Sequence, residues 1–169
     1  VAFLDGGNQV NSSITKAGRG EVRLLGSSLG DSTVEAVNVL GGFLTLEGYD
    51  VNLNRRVGQG AELVLGGGGL VLNAGATAFT EDFGAVRINA GGSALVAVGA
   101  GTLNLGGSFN RQLGGQAHFQ SISGGVIMAS SLALDSRLGS WATFGANASA
   151  EPFATDWAAT NSLGQVVAF

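Results

Sequence analysis

Residues 60–73 read Gly-Ala-Glu-Leu-Val-Leu-Gly-Gly-Gly-Gly-Leu-Val-Leu-Asn, with two Leu-Val-Leu triplets separated by four glycines. Successive side chains of a β-strand point to opposite faces, so each triplet buries two leucines and turns its middle residue outward. Glycine adopts positive φ angles without steric cost and suits the corner between the triplets. The stretch therefore predicts two short strands joined by a sharp turn.

Similar triplets recur along the chain at intervals that indicate a repeat. They are Val22–Leu24, Leu44–Leu46, Val51–Leu53, Val86–Ile88, Leu103–Leu105 and Ala117–Phe119. Leu44 and Leu46 are followed 19 residues later by Leu63 and Leu65. This spacing predicts an all-β, right-handed parallel β-solenoid with Gly-rich corners, in which Leu46 stacks on Leu65. At roughly 17–22 residues a coil, we expect about eight coils. A β-sandwich is the alternative fold.

The triplets also predict which side chains form the core. The leucines expected to be buried are Leu44, Leu46, Leu63, Leu65, Leu70, Leu72, Leu103 and Leu105. Thr45 and Asn104 occupy middle positions, so we expect both to be exposed and to tolerate substitution by aspartate.

Composition limits the classes of protein that fit. The chain has 30 Gly, no Cys, 45% hydrophobic and 12% charged residues, and a net charge of −4. Disordered segments combine low hydrophobicity with high charge, so we expect a folded chain. Without a basic patch, nucleic acid is not an expected partner, and no apolar run reaches the ~20 residues of a membrane span. The first residue is Val, which suggests a mature product or a piece of a longer chain.

We predict a single solenoid module over residues 1–169, with a change of character near residue 135. Regular coils are expected over 1–134. Residues 135–169 hold both tryptophans and Pro152, and they predict a strand, a loop near residues 147–152 and two further strands. Large aromatic side chains at this end suggest terminal coils that form a cap or a joint between modules.

No catalytic or metal-binding pattern is supported, and we expect neither an enzyme nor a cofactor. Residues 26–30 fit Gly-x-Ser-x-Gly and residues 13–16 fit Ser-x-x-Lys, but the surrounding residues lack the helix or partner motifs that these patterns require. His118 is the single histidine, and there is no cysteine to share a zinc site with it. Glu81 and Asp82 would point to opposite faces if extended, and a solvated turn is the simpler prediction. Glu47 and Asp50 form the other close acidic pair.

One family resemblance depends on four segments, with support from the Leu-rich coils upstream. They are Phe109–Phe119, Gly124–Ile127, Leu138–Ala142 and Thr155–Ala158. Their Arg-x-x-Gly-Gly and Asp-Trp-Ala elements resemble the modules of bacterial autotransporter-associated β-strand-repeat proteins, over roughly residues 31–169. The resemblance implies a secreted or surface-displayed β-helical scaffold and supplies no catalytic residues.

The sequence thus predicts a structural or adhesive solenoid module of a bacterial surface protein, or a subunit of an extracellular filament. A carbohydrate-binding or carbohydrate-degrading β-helix is the alternative. Expected partners are further copies or modules of the chain itself, and surface glycans or other cells. Val-Ala-Phe occurs at residues 1–3 and again at 167–169, which suggests head-to-tail assembly. The interface would contain Phe3, Trp141, Trp157 and Phe169.

Overall fold

The computed structural model describes residues 10–25, 33–48, 56–57, 59–145 and 156–169, and these residues form strands, turns and loops without a helix. The strands are β1 (Val10–Lys16), β2 (Glu21–Leu24), β3 (Thr33–Val39), β4 (Gly42–Glu47), β5 (Ala61–Leu65), β6 (Gly68–Asn73), β7 (Phe79–Ile88), β8 (Gly91–Val98), β9 (Gly101–Arg111), β10 (Gly115–Ile122), β11 (Val126–Met128), β12 (Ser136–Arg137), β13 (Ala142–Gly145), β14 (Asp156–Thr160) and β15 (Val166–Ala168). The prediction of an all-β fold is confirmed.

Consecutive strands alternate between two sheets. Odd-numbered strands from β1 to β11 form a six-stranded sheet, and even-numbered strands from β2 to β10 belong to a nine-stranded sheet that continues through β13. Neighbours within each of these runs are parallel, so the chain passes once through each sheet in every coil. The fold is a parallel β-solenoid of about five turns. With strands ~4.8 Å apart, five turns give a stack about 24 Å high.

The coil is longer than the triplet spacing predicted. Leu46 pairs with Leu72 in the nine-stranded sheet, whereas Leu65 pairs with Val39 and Ile88 in the six-stranded sheet. The predicted stacking of Leu46 on Leu65 is therefore wrong, as is the estimate of about eight coils. Each coil contains two triplets, one in each sheet, so a 19-residue shift joins strands on opposite sides of the core. Register partners in neighbouring coils are 22–26 residues apart.

Apolar side chains fill the space between the sheets in rows that run along the solenoid axis. One row of the nine-stranded sheet contains Leu44, Leu70, Leu95, Phe119 and Phe144. All eight leucines predicted to be buried have no exposed surface. Burial of one such side chain contributes about 1.5–3 kcal/mol, so these rows are the main source of stability.

Two residues predicted to be exposed are partly or fully covered. Thr45 lies on the outer face but is only 2% exposed, and its hydroxyl donates to Glu21 Oε1 at 2.5 Å. Asn104 is half-buried and donates through Nδ2 to Asp82 Oδ1 at 2.8 Å. The expectation that both side chains are free in solvent is wrong, because cross-strand hydrogen bonds hold them against neighbouring coils.

One corner of each coil carries a glycine in the left-handed region. The series is Gly42, Gly67, Gly91, Gly114 and Gly139, with φ between 64° and 115°. The main-chain N–H of Gly91 donates to Gly114 O at 3.0 Å, so successive corners are hydrogen-bonded to one another as the strands are. A side chain there would be strained, which explains glycine at this repeated position.

The stack changes direction at its C-terminal side. β13 still pairs parallel with β10, but β14 pairs antiparallel with β13, β12 and β15. We call β12, β14 and β15 the antiparallel end, and β1 to β11 with β13 the parallel body. A strand within 138–144 and two later strands were predicted and are present, although residues 138–141 form a corner. The predicted loop near 147–152 lies outside the described residues.

Candidate functional site

Three of the four residues predicted to form an assembly interface, Trp141, Trp157 and Phe169, lie within the described part of the chain. Phe3 lies outside the described residues. Trp141 is half-buried, with its ring centroid 5.7 Å from that of Phe109 and 6.4 Å from that of Phe119. The guanidinium carbon of Arg111 lies 5.6 Å from the Trp141 ring centroid on the surface side. Trp141 therefore packs against the core and has little surface left for a partner.

Trp157 and Phe169 form an exposed pair on the antiparallel end. They are 46% and 72% exposed, and the Phe169 main-chain N–H donates to Trp157 O at 2.8 Å. Ala158 and Ala168 are register partners, so Trp157 and Phe169 lie opposite each other on the same face of the sheet. The guanidinium carbon of Arg137 is 5.6 Å from the Phe169 ring centroid. We call Trp157, Phe169 and Arg137 the aromatic face.

Polar side chains continue the aromatic face onto the parallel body. Thr143 is the register partner of Trp157, and His118 is the register partner of Thr143. His118 Nδ1 lies 2.9 Å from Thr143 Oγ1. Partial burial lowers the pKa of His118, so its imidazole is neutral at physiological pH. A row of hydrogen-bonding groups thus extends along the solenoid axis from the exposed tryptophan.

The adjacent acids Glu81 and Asp82 lie within β7, so the prediction of a solvated turn is wrong. Glu81 is fully buried, and its two carboxylate oxygens accept main-chain N–H groups of Arg56 at 2.6 Å and Val57 at 3.2 Å. Asp82 points to the outer face and accepts from Asn104. The two carboxylates point to opposite faces, as expected for neighbours in a strand, and cannot act on one substrate.

A second acidic cluster, which the sequence did not reveal, lies on the outer face of the nine-stranded sheet. Arg23 contacts Glu21 Oε1 through Nε at 3.0 Å and Glu47 Oε1 through an Nη atom at 3.0 Å. Asn73 Nδ2 donates to Glu47 Oε2 at 2.9 Å. Glu47 and Asn73 are 26 residues apart, so the cluster could be found in the sequence only by someone who knew the length of a coil. Asp50, the acid close to Glu47 in the sequence, lies outside the described residues.

This cluster lacks the properties of a glycosidase site. The hydrogen bond from Thr45 and the adjacent Arg23 guanidinium lower the pKa of Glu21. Carbohydrate hydrolysis needs one carboxyl group that stays protonated, which requires a raised pKa. Arg23 pairs with both carboxylates and Glu47 bonds to Asn73, so the arrangement links β2, β4 and β6.

The Ser-x-x-Lys pattern does not form a catalytic pair. The buried Lys16 ammonium donates to three main-chain carbonyls, those of Ala17 at 3.1 Å and of Gly18 and Gly41 at 2.8 Å. Ser13 is exposed on the other face of β1. The Gly-x-Ser-x-Gly residues, 26–30, lie outside the described residues.

A small cavity opens between the parallel body and the antiparallel end. Its volume is about 190 Å³, and it is lined mainly by apolar side chains such as Ile127, Phe144 and Val166. Pockets for drug-sized ligands are about 300–1,000 Å³, so this cavity is too small for such a ligand. Among the residues that the structure describes, no three His, Cys, Asp or Glu side chains are grouped as a metal site would require.

Comparison with known proteins gives no relative. No protein family, no curated protein and no solved structure matches the chain. Within the described ranges, no helix has the length and hydropathy that crossing a bilayer requires. The structure itself shows that the chain is a β-solenoid, and the resemblance to autotransporter-associated repeats stays a prediction.

Proposed function

We propose that this chain is a structural and adhesive module of a bacterial extracellular surface protein. The observation that carries the proposal is the unbroken stack: core rows and strand ladders continue from coil to coil through the parallel body. Such a stack resists bending because main-chain hydrogen bonds run along its axis. A fold of this kind can act as a spacer, because that role requires neither a cleft nor a reactive group.

Several features support an extracellular place for the module. The chain is acidic, contains no cysteine and is rich in glycine. The Arg-x-x-Gly-Gly segment at 111–115 and the Asp-Trp-Ala segment at 156–158 resemble bacterial surface repeats. About five turns give a stack only about 24 Å high. A long rod would therefore need several such modules, joined within one chain or by assembly.

The test is antibody labelling of intact cells of the source organism. Antibodies raised against the purified chain should label unpermeabilised cells, while antibodies against a cytoplasmic marker should not. Labelling that appears only after permeabilisation would overturn the extracellular assignment.

The second part of the proposal concerns how modules are joined. β15 has only three residues, and short edge strands are poor templates for the addition of another strand. Modules joined within one chain fit this end better than stacking of separate copies. Sedimentation velocity over a range of concentrations tests this: a monomer supports modules joined in one chain, and growing oligomers support stacking.

A further inference from the structure

We propose that the aromatic face binds a neutral polysaccharide, with Trp157 and Phe169 as the stacking surface. This proposal names a ligand class for the adhesive function proposed above. It rests on that function only for the extracellular location in which the ligand would be met. The ligand class follows from the rings, the polar groups beside them, the local charge and the size of the surface.

The two rings provide a platform for the C–H face of a sugar. Trp157 lies in β14 and Phe169 directly follows the neighbouring antiparallel strand β15, so the two share a face, and both side chains are exposed. The negative face of an aromatic ring attracts polarised C–H groups, and a pyranose ring presents several of them on one side. Exposed apolar side chains that lie together, unlike single scattered ones, mark surfaces that bind ligands or partners.

Hydrogen-bonding side chains that could contact sugar hydroxyls lie beside this platform. Arg137 lies against Phe169, and Thr143 is in register with Trp157. His118 follows Thr143 in the same row, and its neutral imidazole has one donor and one acceptor nitrogen. Protein surfaces that bind proteins have an apolar centre with a polar rim, whereas here polar groups directly adjoin the rings.

The local charge favours a neutral polymer over an acidic one. Among the described residues from 129 onward, the charged side chains are Asp135, Arg137 and Asp156, two acids against one base. Nucleic acids and acidic glycans are recognised by an excess of basic residues. A neutral hexose polymer needs no such excess, because its hydroxyls both donate and accept hydrogen bonds.

The size of the surface argues against a second copy of the chain as the occupant. β12, β13, β14 and β15 have two, four, five and three residues. Four strands ~4.8 Å apart with ~3.3 Å per residue cover on the order of 200 Å². A stable protein–protein interface buries about 800 Å² on each partner. One or two sugar rings fit a surface of this size.

The proposal is tested by native electrophoresis in gels that contain a soluble polysaccharide. The neutral probes are a soluble β-glucan, a galactomannan and pullulan, and alginate is the acidic comparison. We expect at least one neutral polymer to retard the wild-type chain, and Trp157→Ala to weaken that retardation at least tenfold. Trp157→Tyr should keep part of it. Leu163→Ala is the matched control, because Leu163 is 70% exposed on the same end and lies outside the aromatic face.

The possible results distinguish a polysaccharide from a second copy of the chain as the molecule that binds the aromatic face. Retardation by no neutral polymer, or equal retardation of wild type and Trp157→Ala, overturns the proposal. Oligomerisation that Trp157→Ala abolishes, without any retardation, assigns the surface to a second copy and also overturns it. Unchanged melting of Trp157→Ala is required for the comparison, and Phe169→Ala provides a second variant if that condition fails. Binding by a chain that antibodies do not find on intact cells would contradict the extracellular assignment and leave the sugar site supported.

Discussion

The parallel body and the antiparallel end differ in how they place their large side chains. In the body, Phe79 and Phe119 are fully buried and Phe43 is 46% exposed, whereas Trp157 and Phe169 at the end are 46% and 72% exposed. A strand inside the stack has a neighbour on each edge and a sheet across the core. Trp157 and Phe169 lie on the outer face of the short strands that pair antiparallel beside the body. The comparison suggests that large side chains between the sheets serve stability and that the two exposed rings are available for recognition.

The same comparison explains the change of strand direction. A parallel stack that simply stopped would leave the edge of β13 unpaired, and such an edge promotes aggregation. The chain instead reverses, so that β14 pairs with β13 and the three-residue β15 pairs with β14. Among the described strands, β15 is shorter than both β13 and β14. Four predictions probe this difference between body and end, from the largest expected effect to the smallest.

A charged side chain should prevent folding at a core position of the body and should leave stability almost unchanged at an exposed position of the end. Leu65 is fully buried, so Leu65→Asp would place an unpaired carboxylate in the core and should abolish folding, at a cost of more than about 5 kcal/mol. Leu163→Asp at the exposed end should change stability by less than about 0.5 kcal/mol. Urea denaturation measures both. Similar midpoints for the two variants would show that the core has been assigned to the wrong face.

Thr45 and Asn104 are poorer controls than their sequence positions suggest. Thr45→Asp would bring a carboxylate against Glu21, and Asn104→Asp would bring one against Asp82, because each side chain hydrogen-bonds to that acid. Both substitutions should destabilise the fold moderately, contrary to the expectation from alternation alone. Alternation predicts which face a side chain occupies and gives no information about its partner in the next coil.

The fold class could be predicted from the sequence, but the coil length could not be read from the leucines. Triplets in the two sheets look alike, so Leu46 and Leu65 have the pattern of repeats although they lie on opposite sides of the core. The glycine corners contained the correct period. Gly67, Gly91 and Gly114 are 24 and 23 residues apart, have positive φ and lie at or directly before the first residue of β6, β8 and β10. Only backbone conformation distinguishes these glycines from the others in a Gly-rich chain.

The candidate site was predictable in part. Trp157 and Phe169 stand out in the sequence, and their exposure is compatible with a role in binding. Trp141 looks equivalent to Trp157 there, and only the three-dimensional packing against Phe109 and Phe119 distinguishes it. The contribution of Thr143 depends on strand register across the reversal, which sequence alone does not provide.

The second prediction concerns the corners of the body. Gly99 has φ of 69°, and a Cβ there would lie 2.0 Å from Gly75 O, so Gly99→Ala must strain or shift the stacked corner. We expect a loss of about 2–4 kcal/mol, seen as a melting temperature roughly 5–10 °C lower. Gly92→Ala is the control, because a Cβ at residue 92 would have no neighbouring atom within 4 Å and its φ is not positive. Equal melting of the two variants would contradict the stacked-corner geometry.

The third prediction concerns a polar anchor inside the body. Both carboxylate oxygens of Glu81 accept main-chain N–H groups, so Glu81→Gln would turn an amide N–H₂ toward one of those donors. We expect a loss of about 1–3 kcal/mol from the buried donor that is left unsatisfied. Glu62→Gln removes only a partly exposed ion pair with Arg87 and should cost less than about 1 kcal/mol. Denaturant midpoints compare the two, and a larger loss for Glu62→Gln would exclude the anchoring role.

The smallest effect is expected at the junction between β10 and β13 within the parallel body, where His118 contacts Thr143. Burial lowers the pKa of His118 from the ordinary value of 6.5, so the unfolded chain binds a proton more readily than the folded one. The stability due to this group is therefore complete above pH 6.5 and is lost as the pH falls below it. Glu21, whose pKa is lowered from 4.5, contributes in a separate and more acidic window. Urea midpoints measured from about pH 8 to about pH 5 should decline for the wild type and decline less for His118→Gln. Parallel curves for the two proteins would mean that the imidazole at this junction is as well solvated in the fold as in the unfolded chain.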